Sequence, residues 1–239
     1  MGYSDADAAE LYDLLNRWGE SDDFYLSFVM GAGSVLDVGC GTGSLLAKAR
    51  KDGHTGRLAG IDPDVAMLER ARQRVPDAEW VEGKAADIAW VNEFDVAVMA
   101  SNAFQFLVAD LEESLVKIRT ALVDGGRFVF GTRNPEVREW ESWNPSNPYD
   151  VVDHAGRELR MIYHVEQVEG DAVTFTETTA LRDNTPLRTD RATLNFLGVD
   201  TLNAVLIKTG FDVEAQYGDW SRGPLTPTSE NIVTVAYRA

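Results

Sequence analysis

Residues Val35-Leu36-Asp37-Val38-Gly39-Cys40-Gly41-Thr42-Gly43 set three glycines at alternate positions behind a short apolar run. Glycine there permits a tight turn and lets a ligand approach the backbone with no Cβ in the way. The third glycine comes one residue earlier than in the dinucleotide fingerprint G-x-G-x-x-G. Asp37 stands just before the loop, where a carboxylate repels a pyrophosphate and attracts an amino group or a sulfonium. A second acid, Asp62, lies in Gly60-Ile61-Asp62-Pro63-Asp64, 19 residues after Gly43. At the tip of a strand, such an acid can accept hydrogen bonds from both hydroxyls of a ribose. A third, Asp87, lies in Gly83-Lys84-Ala85-Ala86-Asp87-Ile88, where the carboxylate can accept from an adenine amino group and Ile88 can pack on the ring. Three acids at three successive strand ends describe a pocket for a nucleoside bearing a positive group.

The elements that must position these acids follow from hydrophobic period. Ser34 to Val38 is an almost wholly apolar run, as expected of a buried parallel strand. Ser44–Lys51 and Asp64–Val75 read as helices. Arg57–Ile61, Glu79–Glu82, Phe94–Ala100 and Arg127–Thr132 read as strands. Asp110 caps a helix marked by Leu111, Leu115, Ile118 and Leu122, ended by Gly125-Gly126. Strands alternating with helices imply a parallel sheet covered on both faces, with its ligand beyond the carboxyl ends of the strands. Upstream, Leu11, Leu14, Leu15 and Trp18 recur at helical spacing until Gly19, and Ser21-Asp22-Asp23 reads as the N-cap of a second helix, Phe24–Met30.

After residue 134 the pattern changes. Asn134-Pro135 and residues 143–148 are loop chemistry, and from about Glu158 to Phe196 the period is two. Three antiparallel strands are expected there, with turns at Gly170-Asp171 and Asp183-Asn184-Thr185-Pro186. Helical spacing returns at Val199–Thr209, and Phe211–Tyr217 and Ile232–Tyr237 supply two last strands. The expected organisation is an N-terminal helical cap over 1–33, a core over 34–134 and 198–239, and an inserted loop and antiparallel sheet over 135–197 that serves as lid or dimer surface.

Taken together, these motifs resemble the class I S-adenosylmethionine-dependent methyltransferases, small-molecule type. Val35 to Gly43 looks like that family's first motif, Asp62 its ribose-binding acid and Asp87 its adenine-binding acid. Phe94 to Gln105 looks like its fourth-strand motif. Ala121 to Phe130 looks like the turn before its fifth strand, with Asp124 where proline is usual. The likeness spans 35–132 and resumes over 199–239. The N-terminal helices and the insert resemble in layout those of glycine and aminosugar N-methyltransferases. The resemblance implies an α/β Rossmann-like seven-stranded sheet, mostly parallel with the last strand antiparallel, helices on both faces and an inserted antiparallel sheet. It implies S-adenosyl-L-methionine as methyl donor, S-adenosyl-L-homocysteine as product, and a donor site formed by Asp37, Gly39, Cys40, Gly41, Gly43, Asp62, Pro63, Met67, Asp87, Ile88, Ser101 and Asn102. The reaction expected is in-line displacement onto N or O of a small molecule.

Acceptor residues are less defined by pattern. Tyr12, Trp18 and Tyr25 can reach the donor's methionine end or wall the acceptor, but their spacing equally suits core packing. Phe104 and Gln105 follow strand four, and Phe104 equally suits the core. Arg133 can anchor an acceptor or join a surface ion pair. Trp140, Trp143 and Trp220 flank the expected cleft, as acceptor wall or as lid packing. Asn102, Arg133 and His164 are the candidates for a catalytic part, a structural histidine being the alternative for His164. Cys40 reads as a small residue behind the loop.

Charge and composition exclude much. With 22 Lys and Arg against 39 Asp and Glu, the net charge is −17, a poor match for nucleic acid or anionic lipid. The densest basic stretch, Glu69 to Arg74, reads as a solvated helix face. One cysteine and three scattered histidines provide no metal-site spacing, and a single cysteine suits the reducing cytoplasm. The acidic start, through Leu15, reads as no secretory signal, and no apolar run reaches the length of a membrane span. A monomer or homodimer is expected. The rivals are a donor-binding module without turnover and a nicotinamide-dependent oxidoreductase. The short glycine spacing, Asp37 and the lack of a Tyr–Lys or His proton donor near strand four count against the latter.

Overall fold

The computed structural model describes residues 3–239; the first two residues of the expected cap lie outside them. Strands β1 (Ser34–Val38), β2 (Arg57–Asp62), β3 (Glu79–Glu82), β4 (Phe94–Met99), β5 (Leu122–Arg133), β10 (Phe211–Tyr217) and β11 (Asn231–Arg238) form one sheet in the order β10-β11-β5-β4-β1-β2-β3. β11 runs antiparallel to both neighbours and the remaining pairs are parallel. The strand order reverses beside β1, so the glycine loop that follows β1 opens into the crevice where such sheets bind ligands.

Period-two alternation sends successive side chains to opposite faces. Leu36, Ala97, Met99, Phe128, Phe130 and Ile232 pack under helices α5 (Leu111–Ala121) and α6 (Val199–Lys208). Val35, Val96, Val98, Val129 and Val233 pack under α2 (Glu20–Met30) and α3 (Ser44–Lys51). On the first face Phe104 stacks on Phe130 with ring centroids 4.2 Å apart, and Phe130 stacks on Phe128 at 4.7 Å. Helix α4 (Val65–Arg74) is capped by Asp64, whose Oδ1 accepts from the amides of Ala66 and Met67.

Residues 135–197 carry a second sheet, antiparallel throughout, of β6 (Tyr149–Val152), β7 (Glu158–Glu169), β8 (Ala172–Leu181) and β9 (Pro186–Asn195). One face of it is buried. At one end Leu159 and Met161 pack on Leu11, Leu14 and Leu15 of α1 (Asp5–Leu15). At the other, Val173, Phe175 and Leu194 pack on Trp140, Trp143 and Phe196. The opposite face carries threonine pairs, Thr174 with Thr193 and Thr178 with Thr189.

Three elements differ from the sequence reading. Helix α2 begins at Glu20 with Gly19 as N-cap, because the Asp22 carboxylate turns back to accept from the Gly19 amide at 2.8 Å. β6 falls in a stretch without alternation; it forms because its backbone pairs with the start of β7, from Tyr149 opposite Met161 to Val152 opposite Glu158. β5 begins at Leu122 rather than Arg127, since Leu122 pairs with Phe94 before a bulge near the two glycines. Arg70 and Arg74, read as part of a solvated helix face, turn inward to α1.

Gly43 has φ +71°, and a Cβ there would lie 2.7 Å from the Trp80 ring and 2.9 Å from the Ala71 Cβ. Gly43→Ala therefore combines left-handed strain with overpacking between α4 and β3. It is expected to lower unfolding stability by about 2–4 kcal/mol. Urea denaturation checks this; a midpoint equal to that of the wild type would refute the close packing.

Candidate functional site

The glycine loop is shaped by its neighbours' backbone. The amides of Gly39 and Cys40 donate to the Ile61 carbonyl at 2.8 and 3.2 Å, bending the chain over the end of β2. Gly39, Gly41 and Gly43 all have positive φ (+70°, +52° and +71°), a region side chains rarely adopt. Cys40 is buried behind the loop, its Sγ against Gly60, and burial pushes its thiol pKa well up, so it is a packing residue.

Two of the three acids converge. Asp62 is 8% exposed; its Oδ2 accepts from the Gly41 amide and its Oδ1 from the Asp64 amide, both at 2.8 Å. It thus holds the loop in shape and keeps a lone pair on each oxygen for a ligand. Burial raises its pKa. Asp37 is 2% exposed, and its Oδ1 is buried with no hydrogen-bond donor. Burial, followed by the charge of Asp62, pushes its pKa up to about 7. A buried, orphaned carboxylate costs stability unless a partner arrives. Asn102 at the end of β4 presents a second orphan, its buried Oδ1, and Ser101 and Asn102 are both left-handed (φ +52° and +58°). Tyr12 of α1 lies over Gly41 and beside Ser101, and burial raises its pKa.

The donor implied by the resemblance fits this set. Orphaned acceptors at Asp37 and Asn102 suit an ammonium, the spare lone pairs of Asp62 suit hydroxyls, and Gly41 leaves the backbone open apart from Tyr12. Bound here, the sulfonium supplies an activated methyl group; the chain's task is to hold and aim it.

The other expected residues are sorted by their surroundings. Asp87 is exposed and its Oδ2 already accepts from the Lys84 amide at 2.8 Å, which leaves Oδ1 for an adenine amino group. Ile88 is 2% exposed and packed in the core, so it offers a ring an edge rather than a platform. Pro63 is exposed and Met67 half-buried at the start of α4, beside the Asp62 tip. Tyr25 is fully buried against Phe24 and Trp220, and Trp220 covers Gly131, so both belong to the core rather than an acceptor wall. Phe104 is core, by its stack on Phe130. Trp18 is 38% exposed and donates to Asp23 on α2. Gln105 is fully buried and acts as a tie: its Nε2 donates to the Asn195 carbonyl and its Oε1 accepts from Arg133 Nη1 at 2.9 Å. Arg133 also pairs with Glu139 at 2.8 Å and covers the Trp143 ring at 5.4 Å, so its guanidinium anchors the 135–145 segment instead of standing free for an acceptor. His164 is exposed on the insert, in register with Thr176 on the face opposite Tyr163, which removes it from the crevice.

Sequence reasoning missed the clamp on α1. Asp13 accepts from Thr42 Oγ1 at 2.6 Å and pairs with Arg74 at 2.5 Å and Arg70 at 3.1 Å. This ties α1 to the glycine loop and to α4, and so sets Tyr12 over Gly41. Asp13 and Arg74 are 61 residues apart, and no local pattern links them. A separate groove of about 920 Å³ runs between the 135–145 segment and β7, lined by Arg138, Trp140, Glu141 and Val168; none of the donor-site acids reaches it.

The Asp37 pKa carries a sign. Its folded value, about 7, is above its ordinary 3.8, so the stability it contributes to the ligand-free fold is present at low pH and lost as pH rises through 7. A cationic donor favours the ionised form, so donor affinity should rise from pH 6 to pH 8. Asp37→Asn is expected to melt higher than wild type at pH 8 without ligand, yet to bind S-adenosylmethionine at least tenfold more weakly and without that pH dependence. Calorimetric melting and titration at both pH values check this. A pH-independent wild-type affinity would refute it.

Comparison with known proteins bears on this geometry. Residues 35–126 match the family described as a methyltransferase domain. The 2-phytyl-1,4-naphtoquinone methyltransferase of Trichormus variabilis is 30% identical over 155 residues, covering 56% of this chain and 67% of that protein. The dTDP-3-amino-3,4,6-trideoxy-alpha-D-glucopyranose N,N-dimethyltransferase of Streptomyces venezuelae is 29% identical over 185 residues, 70% of this chain and 73% of that one. Among solved structures, an S-adenosylmethionine-dependent methyltransferase from Clostridium acetobutylicum superposes with a TM-score of 0.78 at 15% identity, covering 97% and 98% of the two chains. The amino pentose methyltransferase CalS10 from Micromonospora echinaspora, solved with S-adenosylmethionine bound, superposes at 0.70 and 19% identity over 96% and 97%. With the family match over the glycine loop and its acids, and with a relative at this identity and coverage, the chain belongs to the S-adenosylmethionine-dependent methyltransferases of small-molecule type.

Proposed function

We propose that the chain moves a methyl group from S-adenosylmethionine to a nitrogen of a small molecule held between the carboxyl edge of the main sheet and the inner face of residues 135–197. In this reading residues 3–33 are a cap over the donor, 34–134 with 198–239 hold it, and 135–197 are the lid. The observation that carries it is that the second sheet is tied to the main one from two sides. Its Leu159 end packs on α1, which Asp13 ties to the glycine loop, and its Phe175 end packs on Trp143, which Arg133 ties to the end of β5.

Methyl transfer is an in-line displacement. The nitrogen lone pair forms the N–C bond while the S–C bond breaks, its electron pair stays on sulfur and the positive charge there disappears. Holding the nucleophile about 3–3.5 Å from the methyl, aligned and away from water, supplies much of the rate. Asp37, Asp62 and Asp87 hold the amino acid, ribose and adenine parts of the donor, and Tyr12 and Asn102 close round the methionine end. A hydroxyl acceptor needs a base, whereas a neutral amine does not. The histidines stand elsewhere: His54 is buried against the Ala32 carbonyl, and His154 and His164 are exposed on the insert. This favours nitrogen, as does similarity to the Streptomyces aminosugar enzyme.

Radiolabelled S-adenosylmethionine with a panel of amino sugars, free and nucleotide-linked, aromatic amines and matched phenols tests the reading. Label is expected in amines, with turnover lowered at least tenfold by Trp143→Ala. Transfer to phenols and to no amine would overturn it.

A further inference from the structure

On the buried face of the insert, a polar stripe crosses between two apolar ends. Tyr163 of β7 stands directly opposite Glu177 of β8, which stands opposite Asp190 of β9. The Tyr149 hydroxyl of β6 lies 3.3 Å from that of Tyr163. On one side of the stripe lie Leu159 and Met161, packed on α1; on the other lie Val165 and Phe175, packed on Trp143. Tyr163 touches both groups and stands 6.2 Å from Trp143 and 6.1 Å from Phe175, ring to ring. A sheet face that only needed to bury itself would continue the apolar rows through the middle.

Within the stripe, the charges are unequally matched. Arg188 is committed to Asp190 at 2.6 Å and to Asp5 of α1 at 2.5 Å. Arg157 is committed to Asp7 and Asp153. Glu177 forms no ion pair among the described residues; Tyr163 is its neighbour, and burial, the largest cause, raises its carboxyl pKa. The groups facing it are Tyr163 and Tyr149 across β7 and β6, Asp190 and Arg188 on β9, and Asp5 on α1, which Arg188 holds. An unpaired carboxylate beside two hydroxyls, one of them on a ring that neighbours Trp143 and Phe175, is the chemistry that holds a compact ammonium.

We propose that Glu177, with the Tyr163 hydroxyl, holds the ammonium group of the acceptor under the lid, making this pair the determinant that selects amines over their hydroxyl counterparts. The assignment rests on the amine reading above and adds the residues that make the choice. The amine binds in its protonated form against the ionised carboxylate, and its proton passes to Glu177 before the freed lone pair attacks the methyl. Acceptor affinity is accordingly expected to weaken as pH falls and Glu177 takes up a proton.

The test uses the full chain saturated with S-adenosylhomocysteine, so no turnover intervenes. Titration calorimetry compares a 3-aminohexose, free and carried on thymidine diphosphate, with the same sugars bearing a 3-hydroxyl. The wild type is expected to bind at least one amine tenfold or more tighter than its hydroxyl partner. Glu177→Gln should abolish that preference and Tyr163→Phe reduce it, while each variant binds S-adenosylhomocysteine as the wild type does, which shows the fold intact. Under turnover with the best amine of the panel, Glu177→Gln should raise KM at least tenfold and lower kcat as well. A wild type without preference or without amine binding, or a Glu177→Gln that keeps the preference, overturns the assignment. Wild-type turnover of amines that Glu177→Gln leaves unaltered overturns this assignment alone, whereas transfer to phenols only overturns the amine reading as well.

Discussion

Two carboxylates buried side by side are the constraint on which this molecule is organised. Removing Asp37 and Asp62 from water costs free energy, and the charge of Asp62 raises the cost for Asp37. Asp62 recovers part of it from the Gly41 and Asp64 amides. Asp37 recovers little, with one oxygen left without a donor. A fold that keeps such a group keeps it for a partner, and the partner that returns most is a cation. An adenosyl sulfonium with its amino acid ammonium would bring positive charge to that place.

Much of the remaining structure serves to close the place where those acids meet. The glycine loop can curl round the end of β2 because its three glycines accept left-handed conformations, and Trp80 and Ala71 fill the space a side chain at Gly43 would need. Helix α1 is too short to be stable alone. It is ordered by contacts on two sides: Asp13 on Thr42, Arg70 and Arg74, and Leu11, Leu14 and Leu15 on the second sheet. Residues 135–197 are held in turn by Arg133 and Gln105. Their hydrogen bonds to Glu139, to each other and to Asn195 join β5, the 135–145 segment and β9. Arg133 and Gln105, expected to touch an acceptor, thus join strand and segment instead.

The core elements were legible because local period decides them. β1, β2, β4 and the helices between them announce themselves by runs of two and of three or four, and Asp62 could be placed from its distance to Gly43. β6 could not be seen, since a short edge strand without alternation exists only through its pairing with Leu159 and its neighbours. The start of α2 was obscured because Asp22 bonds backward to Gly19, a geometry that a run of acids does not specify.

The sequence alone determined the glycine loop, the acids at the strand ends and the alternating strands and helices of the main sheet, because each is written in residues close together in the chain. The tertiary structure decided which polar groups are partnered and which are left for a ligand. Tyr25, Phe104 and Trp220 became core, Arg133 and Gln105 became ties, and Asp13 became a clamp through contacts between residues far apart in the chain. Local pattern carries burial and period, but a side chain's role depends on which distant groups reach it first.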